Sequence, residues 1–157
     1  VMERTSVRVI GRVLVLNGPN PNLLGTREPA LYGSDTLGDV EKVCHETAAA
    51  HGLKADCGQS DHEGGLVDAI HEARTEFAGT AINPGACSHT SVAIRDALAA
   101  VERPVVEVHL TNIHRREKFR HHSHVSGVAD ALICGAGPDG YVFALTRPAR
   151  LIGEGAR

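Results

Sequence analysis

Short apolar runs recur along the chain, separated by helix-length amphipathic segments, and this alternation narrows the possible folds more than any other feature. Arg12-Val13-Leu14-Val15-Leu16 opens the series, a β-branched-rich run bounded by Gly11 and by Asn17-Gly18-Pro19, as suits a strand buried on both faces. Residues 53–59 form a second, weaker strand, residues 79–82 a third, residues 104–108 a fourth and residues 131–134 a fifth. Between strands the period changes. Leu37, Val40, Cys44 and Thr47/Ala48 recur at helical spacing, with Thr36 and Asp39 placed as a loose capping box and Gly52 as the stop. Ser60-Asp61-His62-Glu63 shows a second capping-box pattern, ahead of a helix with Leu66, Ala69, Ile70, Ala73 and Phe77 on one face. The Ala-rich residues 88–100 predict a third helix. A last one starts near Asp139 with Tyr141, Val142 and Leu145 on one face, and Pro148 is expected to kink or end it.

Alternation of this kind, with no internal repeat and no linker, predicts one α/β domain spanning residues 1–157: a parallel sheet covered by helices on both faces, with residues 1–10 as a flexible extension. Five such units give the flavodoxin-like three-layer sandwich of strand order 2-1-3-4-5. Ligands of that fold bind beyond the carboxyl ends of the strands, where the order switches between strands one and three. Here those ends run from Asn17 to Asn22, from Asn83 to His89 and from His109 to Arg116. All are rich in Asn, His and Arg, and the topology brings them to one crevice.

Composition restricts the partner. With 157 residues, 42% hydrophobic and 22% charged, the chain can bury an ordinary core without disulfides or metals. A net charge of −3 gives no electrostatic case for nucleic acid or for an anionic membrane, and a small molecule is the expected partner. No apolar run approaches the ~20 residues of a membrane span. Cys44, Cys57, Cys87 and Cys134 are scattered without a C-x-x-C pair, which reads as reduced thiols in a cytoplasmic protein.

Several chemistries are poorly supported. The loop after strand one carries Pro19 and Pro21, which lack the backbone N–H donors of a phosphate cradle; there is no Gly-x-Ser-x-Gly elbow. Lys42, Lys54 and Lys118 all lie away from the ends of strands one, three and four, which disfavours an imine-forming lysine. His109, His114, His121, His122 and His124 crowd together, but Arg115, Arg116, Lys118 and Arg120 lie among them; a solvated basic turn is the simpler reading than a metal site. His109 differs from the others. It closes an apolar strand at the expected crevice, two residues after Glu107, whose side chain shares its face. A carboxylate beside an imidazole orients its tautomer and favours the protonated ring, which suits a proton donor near neutral pH; a hydrogen-bonded core histidine is the alternative. In the long connection after strand one, Arg27 and Tyr32 together make a candidate base, since a nearby guanidinium favours phenolate. A solvent-facing loop tyrosine is the competing reading.

Three blocks then carry a family resemblance. LNGPN-x-NLLGTREP-x-x-YG, INPGA-x-x-HTSVAIRDAL and EVHL-T-NIH-x-RE-x-FRHHS resemble, in order and spacing, the signature blocks of type II 3-dehydroquinate dehydratase, over residues 12–145 or so. The resemblance implies a flavodoxin-like subunit, usually a dodecamer built from trimers, that dehydrates 3-dehydroquinate through an enolate by anti elimination, in the shikimate or quinate pathway, without metal or organic cofactor. By the same resemblance Tyr32 is the general base and Arg27 keeps it ionised on a lid, Asn20 holds a water against the enolate oxygen, and His109 is the general acid with Glu107 as partner. Asn83 and the backbone N–H groups of Leu110 and Thr111 clamp the substrate carboxylate and C1 region; His89 and Arg120 bind ring hydroxyls. Asp96 reaches a neighbouring subunit's site, and Arg116 is a second lid-associated arginine. Pro21, Cys87, Pro138, Asp139 and Pro148 depart from the usual pattern, and none is a proton-transfer residue. A non-catalytic flavodoxin-like ligand-binding module is the competing class: it needs the crevice but not Tyr32, Arg27 and His109 as a set.

Overall fold

The computed structural model describes residues 11–25, 30 and 34–154; the expected extension, residues 1–10, lies outside them. The strands are β1 (Gly11–Asn17), β2 (Leu53–Gln59), β3 (Gly79–Asn83), β4 (Val105–His109) and β5 (Ala131–Cys134), and the helices α1 (Leu37–Ala50), α2 (Glu63–Glu76), α3 (Val92–Ala99) and α4 (Asp139–Gly153). The strands form one parallel sheet in the order β2-β1-β3-β4-β5, as expected. Its register aligns the strand ends: Asn17, the last residue of β1, pairs with Gln59 on one side and Asn83 on the other, so three polar side chains end flush at the carboxyl edge.

β1 shows why the sheet sits between two helix layers. Val13 and Val15 face one side, with Val40, Cys44 and Ala48 of α1 and Ala144 and Leu145 of α4. Leu14 and Leu16 face the other, with Leu66 and Ile70 of α2 and Ile94 and Leu98 of α3. Successive strand residues point to opposite faces, so an unbroken apolar run demands cover on both. Each fully buried aliphatic side chain contributes about 2 kcal/mol.

The α1 capping box forms: Thr36 Oγ1 accepts from Asp39 N and Asp39 Oδ2 from Thr36 N, at 3.2 and 2.9 Å. The second capping box does not. Ser60 Oγ accepts from His62 N, only two residues on, and α2 starts at Glu63 without a side-chain cap. Phe77 also falls outside α2, extended at its end with the Arg12 guanidinium 4.7 Å from the ring centre. The helix expected over residues 88–100 is shorter. Residues Gly85–His89 form a 3-10 turn, the Ser88 carbonyl accepts from His124 N rather than from a helical neighbour, and Ser91 Oγ caps α3 by accepting from Ile94 N at 2.9 Å.

Pro148 does not end the last helix, which runs on to Gly153. Interior proline costs a helix roughly 3 kcal/mol. Tyr141, Leu145 and Leu151 of α4 are buried, at about 2 kcal/mol each, so packing outweighs the penalty. Pro148 packs over Gly79 of β3, where a Cβ would stand 3.4 Å from that of Pro148, an ordinary contact. No helix among the described residues is long and apolar enough to cross a membrane.

Candidate active site

The connections leaving β1, β3 and β4 meet over the carboxyl edge of the sheet and enclose an open cavity. Gly18 lets the first two approach. Its N–H donates to the Asn83 carbonyl at 2.7 Å, and a Cβ on it would stand 2.5 Å from the Pro84 carbonyl oxygen, a distance no side chain tolerates. Asn20 follows in the left-handed region, φ 76°, a conformation asparagine accepts more readily than most residues. Its backbone N–H is held by Asp61 Oδ1 at 3.0 Å, an oxygen that also accepts from Gln59 Nε2. Pro21 occupies the first position of a 3-10 turn, Pro21–Leu23, where its fixed φ and missing N–H carry no penalty. This places one of the residues that depart from the family pattern: Pro21 is buried, beside Asn20 in the cavity wall.

β4 brings Glu107 and His109 to the same face. His109 Nε2 donates to Glu107 Oε2 at 2.5 Å, and the two side chains are 6% (His109) and 0% (Glu107) exposed. Ser123 Oγ donates to the same carboxylate oxygen at 2.7 Å, and Ser126 Oγ to the other at 2.5 Å. Burial alone would push the Glu107 carboxyl up; the hydrogen bonds from His109, Ser126 and Ser123 outweigh it and leave the group below the usual carboxylate range. A carboxylate accepts only, so the Nε2 proton belongs to that bond, and a protonated His109 carries its second N–H at Nδ1. His109 lines the cavity; Glu107 stands behind it.

The lowered Glu107 value couples stability to pH. The ionised carboxylate favours the fold, so its contribution is complete above the ordinary value of 4.5 and is lost as pH falls through the lowered native value. The stability gap between wild type and Glu107→Gln, measured by urea denaturation, is expected to narrow as pH falls below 4.5. A gap independent of pH would show that this carboxylate is not held ionised.

Of the remaining residues singled out, Asn83, His89, Leu110, Arg116 and Arg120 line the same cavity. Thr111 stands beside it, its hydroxyl 3.5 Å from Arg116 Nη1. The Nδ1 atom of His89 lies 3.1 Å from the His122 carbonyl, which can only accept, so Nδ1 bears the proton and Nε2 of the neutral ring is an acceptor. Burial pushes His89 below its ordinary value, against the pull of that carbonyl bond and aided by the charges of Arg120 and His109. Arg120 Nε donates to Glu117 at 2.7 Å, which holds the guanidinium stem at the rim. His121 donates from Nε2 to the Arg116 carbonyl, at 2.8 Å. Among the described residues, no three His, Cys, Asp or Glu side chains gather as a metal ion would require.

Asp96 is not at this cavity: it lies exposed on α3, paired with Arg95 at 2.9 Å. Arg27 and Tyr32 lie outside the described residues.

This wall of Asn, His and Arg around a buried acid-imidazole pair coincides with a family match: residues 11–149 fit the family model for Dehydroquinase class II. The chain belongs to the class II dehydroquinase family. It is 59% identical over 144 residues to the 3-dehydroquinate dehydratase 2 of Pseudomonas putida, covering 92% of this chain and 97% of that one. It is 57% identical over 155 residues to the 3-dehydroquinate dehydratase of Streptomyces avermitilis, covering 98% of each. Among solved structures, the type II dehydroquinase of Propionibacterium acnes matches with a TM-score of 0.85 at 42% identity, over 88% of this chain and 96% of that one.

As a dehydroquinase the chain also uses residues that its local patterns did not flag. Ser123 and Ser126 satisfy Glu107, and Asp61 anchors Asn20. Ser123 does stand inside the third signature block, and a serine just beyond paired histidines was the only signal for it. Nothing local marks Asp61 or Ser126.

Proposed function

We propose that the chain dehydrates 3-dehydroquinate to 3-dehydroshikimate. Besides family membership, the observation that carries this reading is the Glu107–His109 pair, a buried ionised carboxylate bonded at 2.5 Å to an imidazole in the cavity wall. Tyr32, with Arg27 favouring its phenolate, takes the C2 proton; the electron pair left behind forms the enolate with the C3 ketone. Asn20 holds a water against the enolate oxygen, where negative charge develops. As the enolate collapses, the C1–O bond breaks and His109 protonates the departing hydroxyl, releasing water and leaving a C1–C2 double bond conjugated with the ketone. Glu107 stabilises the protonated imidazole before transfer.

The remaining residues bind. Neutral His89 accepts at Nε2 from a ring hydroxyl and Arg120 donates to another. Asn83 and the N–H groups of Leu110 and Thr111 hold the carboxylate and C1 region, and Arg116 acts beside the lid. The route uses neither metal nor organic cofactor. We further propose a homododecamer in which Asp96, exposed and away from its own cavity, reaches a neighbouring subunit's site, and a cytoplasmic location, in keeping with four free cysteines.

The test is ultraviolet absorbance after 3-dehydroquinate is added to purified protein, since the product is a conjugated enone. A rise is expected, and it is expected to survive treatment with a chelator. No rise with folded protein would leave only a ligand-binding module and end the enzyme reading; a rise abolished by chelation would end the metal-free route.

A further inference from the structure

Behind the cavity wall, the ends of β1 and β3 and the first turn of α4 are joined by a buried chain of hydrogen bonds. Asn17, Asn83 and Tyr141 are 0%, 6% and 1% exposed. Gly85 N–H donates to Asn83 Oδ1 at 3.1 Å, Asn83 Nδ2 donates to the Tyr141 hydroxyl oxygen at 3.0 Å, and that hydroxyl donates to Asn17 Oδ1 at 2.5 Å.

The polarity of this chain has a definite origin. A side-chain amide can be turned over and a hydroxyl can rotate its proton, so neither fixes a direction. A backbone N–H can do neither. Gly85 is locked at φ +57°, with room for a Cβ removed by the Pro19 carbonyl oxygen at 3.1 Å. Its N–H meets the Asn83 side chain, and only Oδ1 can receive it. Nδ2 must then meet the Tyr141 oxygen, and the single phenolic proton is sent on to Asn17 Oδ1. Burial pushes the Tyr141 phenol up, which keeps that proton in place. The far end agrees: Asn17 Nδ2 is buried with no hydrogen-bond partner among the described residues. Turning the Asn17 amide over would set Nδ2 against the phenolic proton or, with that proton rotated away, leave the proton without an acceptor, so one orphaned donor accompanies a polarity imposed from Gly85.

We infer that Tyr141 is a positioning residue: by accepting one N–H of the Asn83 amide, it holds that amide with its second N–H as the group offered to an oxygen of the bound ligand. The opposite orientation would present a carbonyl oxygen and repel a carboxylate. Gly85 sets that orientation and Tyr141 secures it, so Tyr141 favours an anionic or carbonyl acceptor without touching it. The inference rests on the reading of this cavity as a 3-dehydroquinate site.

Tyr141→Phe removes one oxygen and keeps the ring. It is expected to raise KM for 3-dehydroquinate about tenfold, and to weaken binding of quinate, the 3-hydroxy analogue that lacks the ketone, by about the same factor, with kcat changed less than about threefold. In an Asn83→Ala background the same substitution is expected to change quinate affinity, measured by titration calorimetry, less than about twofold, because the group it orients is gone. An equal loss in both backgrounds, or no loss in either, overturns the inference. Should Tyr141→Phe fail to fold by circular dichroism, Asn17→Ala carries the test: it frees the phenolic proton and is expected to weaken quinate binding about threefold, and unchanged binding overturns the inference. A wild type that never dehydrates 3-dehydroquinate overturns the activity itself; an active wild type without Tyr141–Asn83 coupling overturns only the role of Tyr141.

Discussion

His109→Ala is expected to lower kcat on 3-dehydroquinate by roughly 10³-fold while KM changes little. Hydroxide is a poor leaving group, and a proton delivered as the C1–O bond breaks removes that difficulty. His109 is placed for this task by β4, is 6% exposed on its side chain, and is bonded at 2.5 Å to a carboxylate whose other partners are two serine hydroxyls. Alanine removes the donor and leaves the cavity-lining Asn83, His89 and Arg120 in place, so substrate should still bind. Steady-state kinetics separates the two effects. A raised KM with unchanged kcat would make His109 an anchor rather than an acid.

Tyr32→Phe is expected to lower kcat by about three orders of magnitude or more, with the circular dichroism spectrum and melting temperature of the wild type retained. It deletes one hydroxyl. In the proposed reaction that hydroxyl, as phenolate, is the group that takes the C2 proton, and the described cavity wall supplies no ionised carboxylate in its stead: Glu107 stands behind His109, bound by three donors. Substrate deuterated at C2 provides the second measurement, since exchange of that deuterium with water reports proton removal independently of water loss. Near-normal turnover or exchange in Tyr32→Phe would mean that another group is the base.

Much of the fold was legible along the chain, for reasons that particular segments make plain. Residues 12–16 are apolar in unbroken succession, which only a strand covered on both faces tolerates. Thr36 and Asp39 form their capping box because both bonds are made within three residues. The 60–63 pattern fails although its spacing is the same, because Ser60 Oγ is taken by His62 N and Ser60 N–H by the Asn17 carbonyl. Pro148 departs from expectation for a related reason: propensity sets a penalty of about 3 kcal/mol, and burial against Gly79 and the sheet outweighs it.

The candidate site divides along the same line. Glu107 and His109 stand two apart on a strand, so their shared face follows from the strand period, and the order of the strands sets which three connections meet. Their surroundings come from the packed fold. Ser123 and Ser126 reach Glu107 across separations of 16 and 19 residues, and Tyr141 reaches Asn17 across 124. Local period sets the direction of a side chain; it carries no information on what a connection packed from elsewhere will bring to meet it, because that depends on how buried donors and acceptors can be satisfied together.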